Sequence, residues 1–256
     1  MSLDRRAFLG LTAGGIMAGT LPSSHGAQPP ARIRLKAVAF DAFPIFDPRP
    51  VFELAETLFP GRGSDLGNAW RTRQFEYQWL RALSGQYADF WRTTEDALRY
   101  AARLLQLKMS PETRAQLMQA YVGLRTWPDV PSALAALRDA GIRLVFLSNM
   151  TRSMLDAGIR AGGLQGMFDH VLSTDQIRSY KPDPRAYRMA IDVLGLSREE
   201  ILFAAFAGWD ASGAKWFGYP TFWVNRLGVP GEELGVAPDA TGKDLHELVS
   251  FVKSRG

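Results

Sequence analysis

The chain has no cysteine. Disulfides, thiolate metal sites and cysteine nucleophiles are therefore excluded. Histidine is scarce. The three are His25, His170 and His246, too scattered for a metal cluster. No run of Lys and Arg marks a nucleic-acid-binding face, and the net charge is only +4. That balance mildly favours anionic ligands. No apolar run is long enough to span a membrane; the one near the N-terminus stops at Leu21. Internal repeats and low-complexity segments are missing beyond that leader.

What is present is an ordinary globular composition, 46% hydrophobic and 22% charged over 256 residues. It suffices for one sizeable core with a smaller attached subdomain. Arg5-Arg6 is followed by Ala7-Phe8-Leu9-Gly10 and a Gly/Ala-rich stretch. This pattern is that of a twin-arginine export signal. Residues 1–30 are accordingly assigned to signal peptide and linker and set aside. The expectation is export through the twin-arginine machinery and a soluble periplasmic domain, folded before it crosses.

Beyond the leader, short continuous apolar runs alternate with helical patterns. Residues 35–40, 143–147, 170–173, 201–206 and 221–224 read as strands buried on both faces. Helices are expected over 132–140, 153–161 and 184–194, each closed by glycine. Such alternation predicts an α/β fold with a doubly wound parallel sheet. Residues 48–127 interrupt it with helical pattern only. Gly67-Asn68 reads as a turn there, with helices after it and over 95–107 and 111–124. The division is thus an α/β core of 31–47 and 128–256, with a helical cap of 48–127.

Ligands of such sheets sit beyond the carboxyl ends of the strands. Asp41 and Ser148-Asn149 fall there. A carboxylate directly after a buried strand suits a nucleophile or a metal ligand, and equally a turn. Lys181, presented from a loop before Pro182, would hold Asp41 ionised. Asp210, after the fourth strand, is a second carboxylate able to position Lys181 or a water.

Asp41, Leu147-Ser148-Asn149, Lys181-Pro182 and Asp210 together resemble the haloacid dehalogenase (HAD) superfamily. Phe59-Pro60-Gly61-Arg62-Gly63, the stretch from Trp70 to Leu83, and that from Gly208 to Lys215 are similar to the type II (S)-2-haloacid dehalogenases. The resemblance covers nearly the whole mature chain. It implies a HAD-like core and a hydrolase that releases halide from small 2-haloacids. Asp41 would be the nucleophile and form an ester. Arg71 would face the leaving halide, Ser148 would bind the substrate carboxylate and Asn149 would assist the halide. Lys181 would pair with Asp41, and Asp210 would orient Lys181 and the hydrolytic water. Tyr187 would pack beside the site. No metal and no cofactor are implied, and a homodimer is.

Phe43 and Trp209 can wall an apolar substrate pocket or serve as packing. Trp70, Tyr77 and Trp79 read as cap packing. Two departures from the family pattern stand out. The run Asp41-Ala42-Phe43-Pro44-Ile45-Phe46-Asp47 is one residue short and lacks the family's threonine, and Pro44 removes a backbone donor. Ala205 and Ala207 stand where relatives carry side-chain donors near the water. One lost donor at a reacting site costs on the order of 10²–10³ in rate. Two other functions follow from these features. One is a magnesium-dependent phosphatase, which needs a second acid at the position of Phe43. The other is a slow or non-catalytic descendant that binds a carboxylate.

Overall fold

Six strands, β1 (Ala37–Phe40), β2 (Arg143–Ser148), β3 (His170–Ser173), β4 (Ile201–Ala205), β5 (Thr221–Val224) and β6 (Ala240–Gly242), pair in parallel throughout. Their order across the sheet is β3-β2-β1-β4-β5-β6. The computed structural model describes residues 34–255. The twin-arginine pattern lies outside them.

Strand alternation sorts the apolar side chains into two layers. Val38, Phe40, Leu144, Phe146, Leu202 and Ala204 face one side. There they pack on α5 (Val130–Asp139), α6 (Arg152–Ala161) and α9 (Leu245–Lys253). Ala37, Ala39, Val145, Leu147, Phe203 and Ala205 face the other side, against α7 (Pro184–Leu194) and α8 (Gly208–Phe217). Cover on both faces is why the strands read as unbroken apolar runs.

Between β1 and α5 the chain forms four helices: α1 (Arg49–Leu58), α2 (Gly63–Leu83), α3 (Phe90–Leu104) and α4 (Pro111–Ala120). Asp89 caps α3 by accepting from the Arg92 N–H, and Ser110 caps α4 at the Thr113 N–H. The expected turn at Gly67-Asn68 is not there; both residues lie inside α2. Gly67 serves close packing instead. A Cβ on it would stand 2.8 Å from the Phe52 ring of α1. The sixth strand was not foreseen, because Ala-Thr-Gly offers no apolar run.

The chain runs from β1 outward to β2 and β3, then returns to β4 on the opposite side of β1. That reversal opens a crevice at the carboxyl ends of β1 and β4. Asp41 sits in it, its N–H bonded to the Ala204 carbonyl at 3.0 Å.

Candidate active site

A cavity of about 690 Å³ opens over this crevice. Asp41, Ser148, Asn149 and Asp210 line its floor, and Arg71, Phe75 and Trp79 of α2 line its opposite wall.

Lys181 lies beneath the floor, only 1% exposed. Its ammonium bridges two carboxylates, 2.8 Å from Asp41 Oδ1 and 2.6 Å from Asp210 Oδ2. Burial alone would lower its pKa, but Asp210 and Asp41 outweigh that and hold it above the ordinary lysine value. The other Asp41 oxygen accepts the Phe43 N–H at 3.2 Å. Asp41 is thus fixed by an ammonium and a backbone amide, at the cavity surface.

Asp210 is differently placed. It belongs to the first turn of α8 and is 1% exposed. Burial raises its carboxyl to about 6, against the pull of Lys181. The Asp41 charge adds to the rise, and a hydrogen bond from Tyr187 (2.8 Å to Oδ1) opposes it. Tyr187 itself is wholly buried, which keeps its hydroxyl protonated and donating. The sequence reading had Tyr187 packing beside the site. The structure puts it behind Asp210, on the stripe of α7 that faces the sheet, away from the cavity wall.

Asn149 is held from three sides. Its Oδ1 accepts the Lys181 N–H (2.9 Å) and the Thr174 hydroxyl (3.3 Å). Its Nδ2 donates to Gln78 Oε1 at 3.0 Å, leaving one amide hydrogen for the cavity. Ser148 Oγ accepts the Met150 N–H (3.1 Å), so its own proton stays available to a ligand. Arg71 lies exposed on the wall. Its neighbour Arg73 is taken up by Glu76 at 2.8 Å, whereas Arg71 has no carboxylate partner among the described residues. Phe43 and Trp209 line the cavity. Phe43 packs on Phe206, ring centres 5.8 Å apart, and Trp209 sits edge-on to Phe75 and Trp79.

Trp79 corrects an expectation. It is a wall residue, and its indole N–H bonds the Lys181 carbonyl at 3.2 Å. Trp70 is packing, as read, with its indole N–H on the Thr94 carbonyl. Gln78 and Thr174 were missed. The buried stripe of α2 runs Leu66, Trp70, Gln74, Gln78. A glutamine on a buried stripe needs a polar partner, which was the available signal. Thr174 carried none.

The two departures resolve differently. Ala205 faces the apolar layer of Tyr187 and Phe203, so a donor there would not reach the cavity directly. Ala207 does line the cavity. It also starts α8 without a side-chain cap, leaving the first N–H groups of that helix free for a ligand or water. The short loop after Asp41 closes on itself, with Ile45 and Phe46 donating to the Ala42 carbonyl. Arg226 then secures it. Its guanidinium donates to the Pro44 carbonyl (2.7 Å) and forks onto Asp129 (2.9 Å to each oxygen).

Among the described residues no group of three or more His, Asp or Glu is placed to hold a metal ion. The ammonium of Lys181 fills the place between the two carboxylates.

A parallel α/β sheet, helices inserted after its first strand and a buried Asp–Lys–Asp centre define a class of hydrolase. The chain belongs to the haloacid dehalogenase-like hydrolases, whose family model matches residues 35–218. It is 41% identical over 221 residues to an (S)-2-haloacid dehalogenase of Pseudomonas sp. (strain YL), covering 86% of this chain and 95% of that protein. A crystal structure of an L-2-haloacid dehalogenase superposes with a TM-score of 0.84 at 44% identity, over 86% of this chain and 99% of that one. The L-2-haloacid dehalogenase of Xanthobacter autotrophicus, solved with chloropropionic acid covalently bound, superposes with a TM-score of 0.79. It is 36% identical, over 87% of this chain and all of the other.

Proposed function

We propose that the protein is a hydrolytic dehalogenase of small 2-haloacids, acting through an ester on Asp41. The observation that carries this is the Asp41 carboxylate itself, held by Lys181 and the Phe43 amide at the floor of a cavity with a free arginine in its wall. One Asp41 oxygen attacks C2 of the substrate. The carbon–halogen bond breaks, and halide leaves with the electron pair toward Arg71. Ser148 and the open amides of α8 bind the substrate carboxylate. Water then attacks the carboxyl carbon of the ester, and its proton passes to Asp210. The products are a 2-hydroxy acid inverted at C2, halide, a proton and regenerated Asp41. The named activities of the relatives support this reading.

The test is halide release over time from (S)-2-bromopropanoate by the purified protein. Many equivalents with matching 2-hydroxypropanoate are expected. Release that stops at about one equivalent per chain would mean that ester hydrolysis fails at Ala207. No release from any 2-haloacid overturns the proposal. A phosphatase is less well supported, because Phe43 holds the position of its second acid and is packed on Phe206.

Asp210 sets the expected pH dependence. It accepts a proton only as carboxylate, so ester hydrolysis rises with pH and levels off below about 6, because esterification removes the Asp41 charge that helps to raise Asp210. The Tyr187 hydrogen bond favours the charged form. Tyr187→Phe therefore moves the acid limb to higher pH, read from kcat against pH. An unmoved limb would show that another group titrates.

We further propose that Arg5 and Arg6 direct export in the folded state. Replacing both with Lys should leave the protein in the cytoplasmic fraction of an expression host with a twin-arginine route; unchanged periplasmic activity would refute this.

A further inference from the structure

The cavity is larger than a short haloacid needs. At about 690 Å³ it falls among sites that take drug-sized ligands, about 300–1,000 Å³. A 2-halopropanoate brings only a carboxylate, a halogen and one methyl group. The inner end of the cavity, at Asp41 and Ser148, is polar. Its outer end is walled by Phe52 of α1 and by Leu227 and Val229 from the segment that follows β5.

That segment is neither helix nor strand, yet it is firmly built. The Asn225 side chain clasps Val229 twice, donating to its carbonyl (2.8 Å) and accepting its N–H (3.1 Å). Arg226, between the two wall residues Asn225 and Leu227, ties the segment to Pro44 and Asp129. This fixed frame holds Leu227 and Val229 in the cavity wall while 44% and 46% exposed. Single exposed apolar side chains are unremarkable on a surface. Two that are held rigidly along the path to a nucleophile form an apolar subsite.

We infer, resting on the dehalogenase reading, that the site is shaped for (S)-2-haloacids with a linear alkyl tail of several carbons, lying along Phe52, Leu227 and Val229. A tail ending in a second carboxylate would lose hydration against these apolar side chains, so it is disfavoured.

The experiment compares kcat/KM for (S)-2-bromopropanoate, (S)-2-bromohexanoate and (S)-2-bromoadipate. Each fully buried methylene is worth about fourfold. Half-burial of the three added methylenes of hexanoate gives about an eightfold gain, expressed mainly in KM. Adipate should lose that gain. In Leu227→Ser/Val229→Ser the hexanoate-to-propanoate ratio should fall at least fivefold; a circular dichroism spectrum and melt checks that the variant is folded. Propanoate turned over as well as or better than hexanoate overturns the inference and leaves the dehalogenase reading standing. A ratio unmoved in the folded variant overturns the assignment of Leu227 and Val229. Halide from none of the three overturns the reading and the inference with it.

Discussion

Asp41→Asn is expected to reduce halide release by about 10⁴-fold or more, the scale seen when a covalent nucleophile is removed. The amide keeps the size of the side chain, so the Phe43 N–H can still be accepted by its oxygen. What it loses is the negative oxygen that attacks C2, and half of the charge that holds Lys181. The fold should survive, because Asp210 still pairs with the ammonium at 2.6 Å. A second readout isolates the chemistry. In ¹⁸O-labelled water and excess enzyme, wild-type protein should carry the label into the Asp41 carboxylate, since water attacks the carboxyl carbon. Label found in the 2-hydroxy acid alone would mean that water attacks C2 directly. Asp41 would then be a base and the ester would not exist.

Lys181→Met is expected to affect stability as well as rate. Methionine nearly matches the lysine stem in volume but leaves Asp41 and Asp210, 8% and 1% exposed, without a counter-ion. Breaking a buried ion pair from one side costs about 3–5 kcal/mol. For a domain of this size each kcal/mol lowers Tm by about 2–4 °C, so a drop of roughly 6–20 °C should appear on melting. The deficit should depend on pH with a definite sign. Asp210 already titrates at about 6 with Lys181 in place. Without the ammonium it moves higher, further above the unfolded value of about 3.9. A folded-state pKa above the unfolded one favours folding at low pH. The variant should therefore approach wild-type stability below about pH 6, where both proteins keep Asp210 protonated, and fall behind as pH rises from there through the variant's higher pKa. A deficit that is flat with pH would mean that lost packing, and not charge, destabilises it. Halide release should fall with it by at least about 10³-fold, since Lys181 orients the nucleophile.

How far these residues were legible depends on the kind of signal each carries. Asp41 was readable because it ends an apolar run, and strand ends of parallel sheets are where chemistry gathers. Its partnership with Lys181 was not readable from spacing. The two are 140 positions apart; a lysine presented from a loop before Pro182 suggested the pair, and the resemblance then supported it. Tyr187 was expected only to pack beside the site, and its own helix tells which side of Asp210 it takes. It shares a buried stripe with Ala186, Ala190 and Leu194, and that stripe faces the sheet. Ala205 is the same case in a strand, because Phe203 two residues earlier already fixed its face. Gly67 was read as a turn former, since sequence does not reveal a neighbouring helix close enough to exclude a Cβ. For Arg226 there was no signal at all; an arginine after a strand is ordinary until its partners are in place.

Those partners have a temporal consequence. The carbonyl of Pro44 lies 182 positions upstream of the guanidinium that holds it. Asp129, gripped by the same group, also accepts the N–H of Leu245 at the start of the last helix. The loop carrying the nucleophile is made 182 residues before Arg226, and it acquires its anchor only when Arg226 has left the ribosome. Closing so long a span is slow relative to local helix formation. A chain that stops short of Arg226 therefore has Asp41 without the frame that aims it.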